Sequence, residues 1–156
     1  SEQQAATRPH AVAVVYENES RTYAQLNARA NQLAHYLRGL GVQPDDRVAI
    51  CSERNLDLVV SLLGILKAGG GYVPFDPTYP AERLRSMLHD AAPKVVLTQQ
   101  AAQPQLPELD LPALVLDGDE LRDQLAAQPT HNPVVPGLLA TLVNPRGTSS
   151  SIDVIG

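Results

Sequence analysis

The sequence predicts an α/β fold with a mainly parallel sheet flanked by helices, and three observations carry the prediction. Short apolar runs at Arg47 to Cys51, Lys94 to Thr98 and Ala113 to Leu116 are separated by segments of helical periodicity. The runs are nearly continuous in apolar residues, as strands covered on both faces are. Each helical segment also has its own start and stop chemistry, so strands and helices alternate, and right-handed crossovers between parallel strands follow.

The elements follow in order. Ala11 to Tyr16 is apolar, Glu17 to Ser20 is turn chemistry and Arg21 to Tyr23 resumes, which predicts a small N-terminal β-hairpin expected to guard a sheet edge. Thr22 and Gln25 have capping-box spacing, and Leu26, Ala30, Leu33, Ala34 and Leu37 share one face of the helix that follows. Gly39 and Gly41 stop it, and the Pro44-Asp45-Asp46 turn leads into the strand Arg47 to Cys51. Asn55 is placed to cap a second helix, whose Leu58, Val59, Leu62, Leu63 and Leu66 are expected to pack against the sheet. A third helix begins around Pro80, buries Leu84, Met87 and Leu88, and ends before Pro93. Lys94 to Thr98 is the next strand. A Gln-, Pro- and Ala-rich connection, Gln99 to Pro112, leads to the strand Ala113 to Leu116, and a short helix starts at Asp117 or Asp119 and runs to about Ala127. A second break, Gln128 to Pro136 with its three prolines, precedes a final strand candidate, Leu138 to Val143.

With 156 residues, 44% of them hydrophobic, the chain can remove roughly two thirds of its unfolded surface from water, enough for one core and one domain. A net charge of −5 without a lysine or arginine cluster disfavours nucleic acid and anionic membrane as partners. Cys51 is the single cysteine, which excludes a disulfide framework within the chain and fits a reducing compartment. No apolar run approaches the ~20 residues that span a bilayer, and Ser1 to His10 has no signal core, so the expectation is a cytoplasmic protein.

The candidates for chemistry are few. His10, His35, His89 and His131 are dispersed without metal-ligand spacing, which predicts surface or structural roles. Cys51 ends a strand with no base beside it in sequence and reads as a small buried hydrophobe. Asp45-Asp46 and the group Asp117, Asp119 and Glu120 read as turn and N-cap residues ahead of any cation site. Gly69-Gly70-Gly71 follows a helix and enters a strand, the reverse of a phosphate-cradling loop, and reads as a helix stop with a tight turn.

Those glycines sit inside LKAGGGYVPFDPTYPAERL, Leu66 to Leu84. The string resembles a signature of the adenylation domains of non-ribosomal peptide synthetases, in which LKAGxAYVPxDPxYPxER recurs. Upstream, RTYAQLNARANQLAHYLRGLGVQPDDRVAI, Arg21 to Ile50, is similar to the first signature of the same family. The resemblance covers about Pro9 to Val143 and implies the N-terminal subdomain of an adenylate-forming enzyme. It further implies that a complete parent binds Mg-ATP and an amino acid, forms an aminoacyl-adenylate and passes it to a carrier-protein thiol. In the family these first two signatures are mainly structural.

The same resemblance places a phosphate loop of the form YTSGTTGxPKG after Leu139-Ala140. Here the sequence reads LATLVNPRGTSSSIDVIG, Leu139 to Gly156. Gly147, Thr148 and Ser149 align with that loop and are the candidate nucleotide-binding residues. Asn144-Pro145-Arg146 replaces Tyr-Thr-Ser, Ser150 stands at a glycine position, and no Pro-Lys-Gly follows, so the amides lose convergence and the lysine charge is missing, with Arg146 the one basic residue nearby. Residues 1–143 are therefore assigned to the subdomain, and 144–156 to a divergent loop or a foreign tail.

Three functions are compatible with these readings. The first is part of an adenylation enzyme, silent by itself, with no catalytic residue, cofactor or metal of its own and with the rest of the domain and a carrier protein as partners. The second is an interaction module that homo-oligomerises or docks a partner through apolar surface. The third is a free-standing nucleotide binder that uses the crevice beyond the strand C-termini.

Overall fold

The computed structural model describes residues 12–16 and 19–133. The strand candidate at Leu138 to Val143 and the boundary at 143/144 lie outside the described residues. Strand β1 (Val12–Tyr16) pairs antiparallel with β2 (Glu19–Thr22), with Tyr16 opposite Glu19. The hairpin forms a sheet of its own. It lies against the first two helices and is not hydrogen-bonded to the parallel sheet, so the expected edge-guarding role is not the one observed.

Helix α1 (Tyr23–Gly39) starts with the predicted capping box: the Thr22 N–H donates to Gln25 Oε1 at 2.9 Å and the Gln25 N–H to Thr22 Oγ1 at 3.1 Å. Two of the helix's free N-terminal amides are thereby satisfied at no cost in burial. It ends at Leu40, and Gly41 turns the chain with a φ of 99°, a conformation that favours glycine. Strand β3 (Arg47–Cys51), helix α2 (Leu56–Lys67), strand β4 (Gly71–Phe75), helix α3 (Ala81–Ala91), strand β5 (Val95–Thr98), strand β6 (Ala113–Val115) and helix α4 (Asp119–Ala126) follow, with one 3₁₀ turn at Gln103–Gln105 in the connection before β6.

The four strands lie in the order β4-β3-β5-β6, all parallel, with Ala49 beside both Val73 and Val96. Side chains alternate across the pleat. Val48, Ile50, Val95 and Leu97 join Leu33, Leu37, Val60, Ile65, Leu121 and Leu125 in a core under α1, α2 and α4. Ala49, Val96 and Phe75 join Leu84 and Leu88 in a smaller core under α3. Helices therefore cover both faces, as doubly wound α/β folds require, and the near-continuous apolar runs of the strands follow from that.

Two turns at the N-terminal edge of the sheet are stitched together. The Asp45 N–H donates to the Gly69 carbonyl at 3.0 Å and the Gly71 N–H to the Asp46 carbonyl at 2.8 Å. Asp46 Oδ2 accepts the Gln43 N–H at 2.8 Å, and Asp45 takes a φ of 71°. The carboxylate pair thus does the turn work its sequence suggested. The glycine run also acts as a stop and turn, with Gly69 at a φ of 89°.

One packing expectation is overturned. Leu58, Val59, Leu62, Leu63 and Leu66 do not form the buried face of α2, which is Leu56, Val60, Ser61, Gly64 and Ile65. The five are half-buried, and only Leu58 and Leu62 pack at the margin of the core. In a helix apolar on all sides, the choice of buried face is made by shape: Gly64 lets α1 approach, and a leucine there would not. Among the described residues no helix is long and apolar enough to cross a membrane.

Candidate functional site

In the chain order of its strands the sheet reads 2-1-3-4, so winding reverses between β3 and β5, where ligands of open α/β sheets bind beyond the strand C-termini. Thr98 Oγ1 closes the two strand ends by donating to the Cys51 carbonyl at 2.8 Å. The next residue, Gln99, fills the crevice. It is only 3% exposed. Its Oε1 accepts the Glu53 N–H at 3.0 Å, and its Nε2 donates to Asn55 Oδ1 at 2.9 Å and to Asp57 Oδ2 at 3.2 Å. Asn55 Oδ1 also caps α2 through the Asp57 N–H at 3.0 Å, as the sequence predicted, and Asp57 Oδ1 lies 3.7 Å from the Arg29 guanidinium.

A triphosphate does not fit these residues. Anion binding at a helix N-terminus needs free amides and a positive end. Here the Glu53 and Asp57 amides are already engaged by side-chain oxygens, and the Asp57 carboxylate sits in the first turn of α2. The crevice is a filled structural joint.

Next to it, between the C-terminal ends of β3 and β4, an open cavity of about 650 Å³ is lined by Ser52, Glu53, Arg54, Pro74, Asp76 and Tyr79 among others. Its motif residues build the β4–α3 turn. Asp76 Oδ1 accepts both the Thr78 hydroxyl, at 2.7 Å, and the Thr78 N–H, at 2.9 Å, and these bonds hold the carboxyl below its usual range. The Arg83 guanidinium stacks 4.3 Å above the Tyr79 ring. Cys51 is 1% exposed, and burial, followed by the charge of Asp76, pushes its thiol up to about 11, so it is a protonated core residue, as its sequence setting suggested.

Gly147, Thr148 and Ser149, together with Arg146 and His10, lie outside the described residues. His89 is exposed on α3. Among the described residues no group of three or more His, Cys, Asp or Glu side chains could hold a metal ion. Asp117 makes a turn, accepting the Gln100 N–H at 2.8 Å. The N-cap of α4 is Gly118, not an aspartate, while Asp119 and Glu120 occupy its first turn, where the helix dipole favours negative charge.

What the dispersed histidines did not reveal is a strap. Along α1, Asn31 Nδ2 donates to the Thr130 carbonyl at 2.7 Å, Gln32 Nε2 to the Gln128 carbonyl at 3.3 Å and His35 Nε2 to the His131 carbonyl at 2.9 Å. The two imidazoles meet edge to face at 4.8 Å between ring centres. Lys67 Nζ then donates to Asn132 Oδ1 at 3.3 Å, so residues 128–132 cross α1 to reach the C-terminal end of α2. The available signal was the trio of polar residues opposite the apolar stripe of α1, which marks an outer face without saying what covers it.

Comparison with known proteins agrees with this architecture. The family model described as AMP-binding enzyme matches residues 1–150. The chain is 49% identical over 154 residues to malpinin synthetase of Mortierella alpina, covering 95% of this chain and 2% of that protein. It is 47% identical over 133 residues to a dimodular nonribosomal peptide synthase of Bacillus subtilis (strain 168), covering 85% and 6%. Among solved structures it superposes on the nonribosomal peptide synthetase FmoA3 with a TM-score of 0.76 at 30% identity, over 86% of this chain and 14% of that one. Further forms of that synthetase are bound to AMPPNP and to alpha-methyl-L-serine-AMP. A Mycobacterium tuberculosis fatty acyl CoA synthetase superposes with a TM-score of 0.74 at 28% identity, over 86% and 28%. The chain thus spans a small share of the length of these relatives. With the parallel sheet, the helix pattern and both signatures in agreement, the chain belongs to the AMP-binding enzyme family.

Proposed function

We propose that this chain is the N-terminal part of a peptide-synthetase adenylation domain, whose whole activates an amino acid with Mg-ATP to an aminoacyl-adenylate and passes it to a carrier-protein thiol. The observation that carries the reading is the identity of 49% to a synthetase over 154 residues that include both signatures. The aminoacyl-adenylate analogue in a superposable synthetase supports the same chemistry. In this reading the described residues contribute a scaffold and not reacting groups. Gln99 closes the switch-point crevice, and Asp76, Thr78, Tyr79 and Arg83 are engaged in a turn. The chain alone is catalytically silent, and the rest of the domain brings the phosphate, metal and amino-acid sites.

The test is calorimetric titration of the purified chain with Mg-ATP, paired with amino-acid-dependent ATP–pyrophosphate exchange after co-expression with the rest of an AMP-binding domain. The expected result is no saturable heat from the chain alone and exchange only in the pair. Saturable binding by the chain alone, lost when Gly147 or Thr148 is replaced, would instead make it a free-standing nucleotide-binding domain.

A further inference from the structure

The strap brings together His35 and His131, which lie 96 positions apart in the chain. His35 is half-buried on the outer face of α1, and His131 is exposed. A carbonyl oxygen can only accept, so the hydrogen bonds of the two rings fix where their protons sit. His35 carries its proton on Nε2, which donates to the His131 carbonyl at 2.9 Å, and His131 carries its own on Nδ1, which donates to the Asn132 carbonyl at 3.2 Å. In the neutral rings a lone pair is left on His35 Nδ1 and another on His131 Nε2. Metal-ligating imidazoles are held in this manner, with the second ring nitrogen tied to a carbonyl or carboxylate that sets tautomer and orientation.

The spacing of the rings agrees with that chemistry. A metal bonded to one nitrogen of each ring at about 2.0–2.1 Å holds the two ring centres roughly 5 Å apart. Here they stand 4.8 Å apart, with the planes at 81°. The pair is also braced: Asn31 and Gln32, one turn before His35, donate to the Thr130 and Gln128 carbonyls. Much of the ordering that ligation demands is therefore in place before an ion arrives. Lys67, the cation that meets the strap at the following residue, is 7% exposed and has its ammonium on Asn132 Oδ1. The exposure of His131 leaves the ion a way in.

We infer that His35 Nδ1 and His131 Nε2 form a two-imidazole site for a divalent ion of the zinc, nickel and copper group, and that the ion clasps the strap onto α1. Imidazole nitrogens suit those ions. Water fills the remaining positions, because among the described residues no third His, Cys, Asp or Glu joins the pair. The site is thus an open, exchangeable one and not a closed structural centre. It is distinct from any Mg-ATP site, since magnesium takes oxygen ligands and keeps several of its waters. An ion that binds only while the strap is closed favours the closed state by mass action. The inference is independent of the proposed activity, because it concerns how residues 128–132 are held.

The test titrates the purified, untagged chain of 156 residues with zinc chloride by calorimetry. Expected is saturable binding of one ion per chain, weakened about tenfold or more by His35→Gln and by His131→Gln and unchanged by His89→Gln. Glutamine keeps an N–H for the backbone carbonyl, so these variants remove the ligating nitrogen without stripping the strap of its donor. Zinc should also slow amide exchange at 128–132 in the native chain and not in His131→Gln, and should shift the ring nitrogen resonances of His35 and His131 while leaving those of His89 in place. If either variant fails to fold by circular dichroism, the ring shifts of the native chain decide alone. No saturable heat, undiminished binding in the His35 or His131 variant, ring shifts confined to other histidines, or one ion shared between two chains would each overturn the site. Binding at the pair with unchanged exchange across 128–132 would overturn the clasp.

Discussion

Gly64 faces Leu33 so closely that a Cβ at position 64 would lie 2.7 Å from Leu33 Cδ2 and 2.9 Å from its Cγ. Leu33 is fully buried and has no room to move aside. Gly64→Ala therefore loses more from overpacking than it gains from helix propensity, and the net cost is about 1–3 kcal/mol, read as a fall in the midpoint of urea denaturation. An unchanged midpoint would show that α1 and α2 can separate freely.

Gln99 is the next weak point. Gln99→Ala takes the side-chain acceptor from the Glu53 N–H and removes a donor from Asn55 and Asp57. A loss of about 1–2 kcal/mol is expected for the part-buried hydrogen bonds removed. The same variant opens the crevice yet acquires no affinity for Mg-ATP, because Asp57 still opposes an anion there. Calorimetry on the variant checks both parts.

Asn31 ties the strap to α1, and its Oδ1 is itself buried without a partner. Asn31→Ala is expected to cost about 1–2 kcal/mol and to speed amide exchange across 128–132 more than in the sheet. Uniform acceleration throughout the chain would mean that the strap and the core open as one unit.

Cys51 sets an alkaline limit. Its folded value of about 11 lies above the ordinary 9.0, so the folded chain holds the proton that the unfolded chain releases. The stabilisation is complete below pH 9 and declines as pH rises from 9 toward 11. Thermal melts across that range should fall more steeply for the native chain than for Cys51→Ala, and parallel curves would refute the linkage.

Most of the fold was legible locally. Thr22 with Gln25, Asn55 at the head of α2, Gly41, and the strand from Arg47 to Cys51 are signals contained within a few residues, and the structure reproduces each of them. Membership of the AMP-binding family was legible for the same reason, because its signatures are contiguous strings. The candidate site was less so. Gln99 read as the first residue of a polar connection, and nothing nearby in sequence announces that its amide meets residues 44 and 46 positions away.

The sequence by itself determined the elements, their order and the apolar composition of the strands, since capping, turn conformation and side-chain periodicity depend on near neighbours. Tertiary structure alone decided which face of α2 is buried, that His35 and His131 meet, and that the switch-point crevice is closed. Those outcomes depend on shape and pairing between segments far apart in the chain. In α2, where every arc is apolar, hydrophobicity cannot choose a face, and the small residues Ser61 and Gly64 make the choice by letting α1 approach.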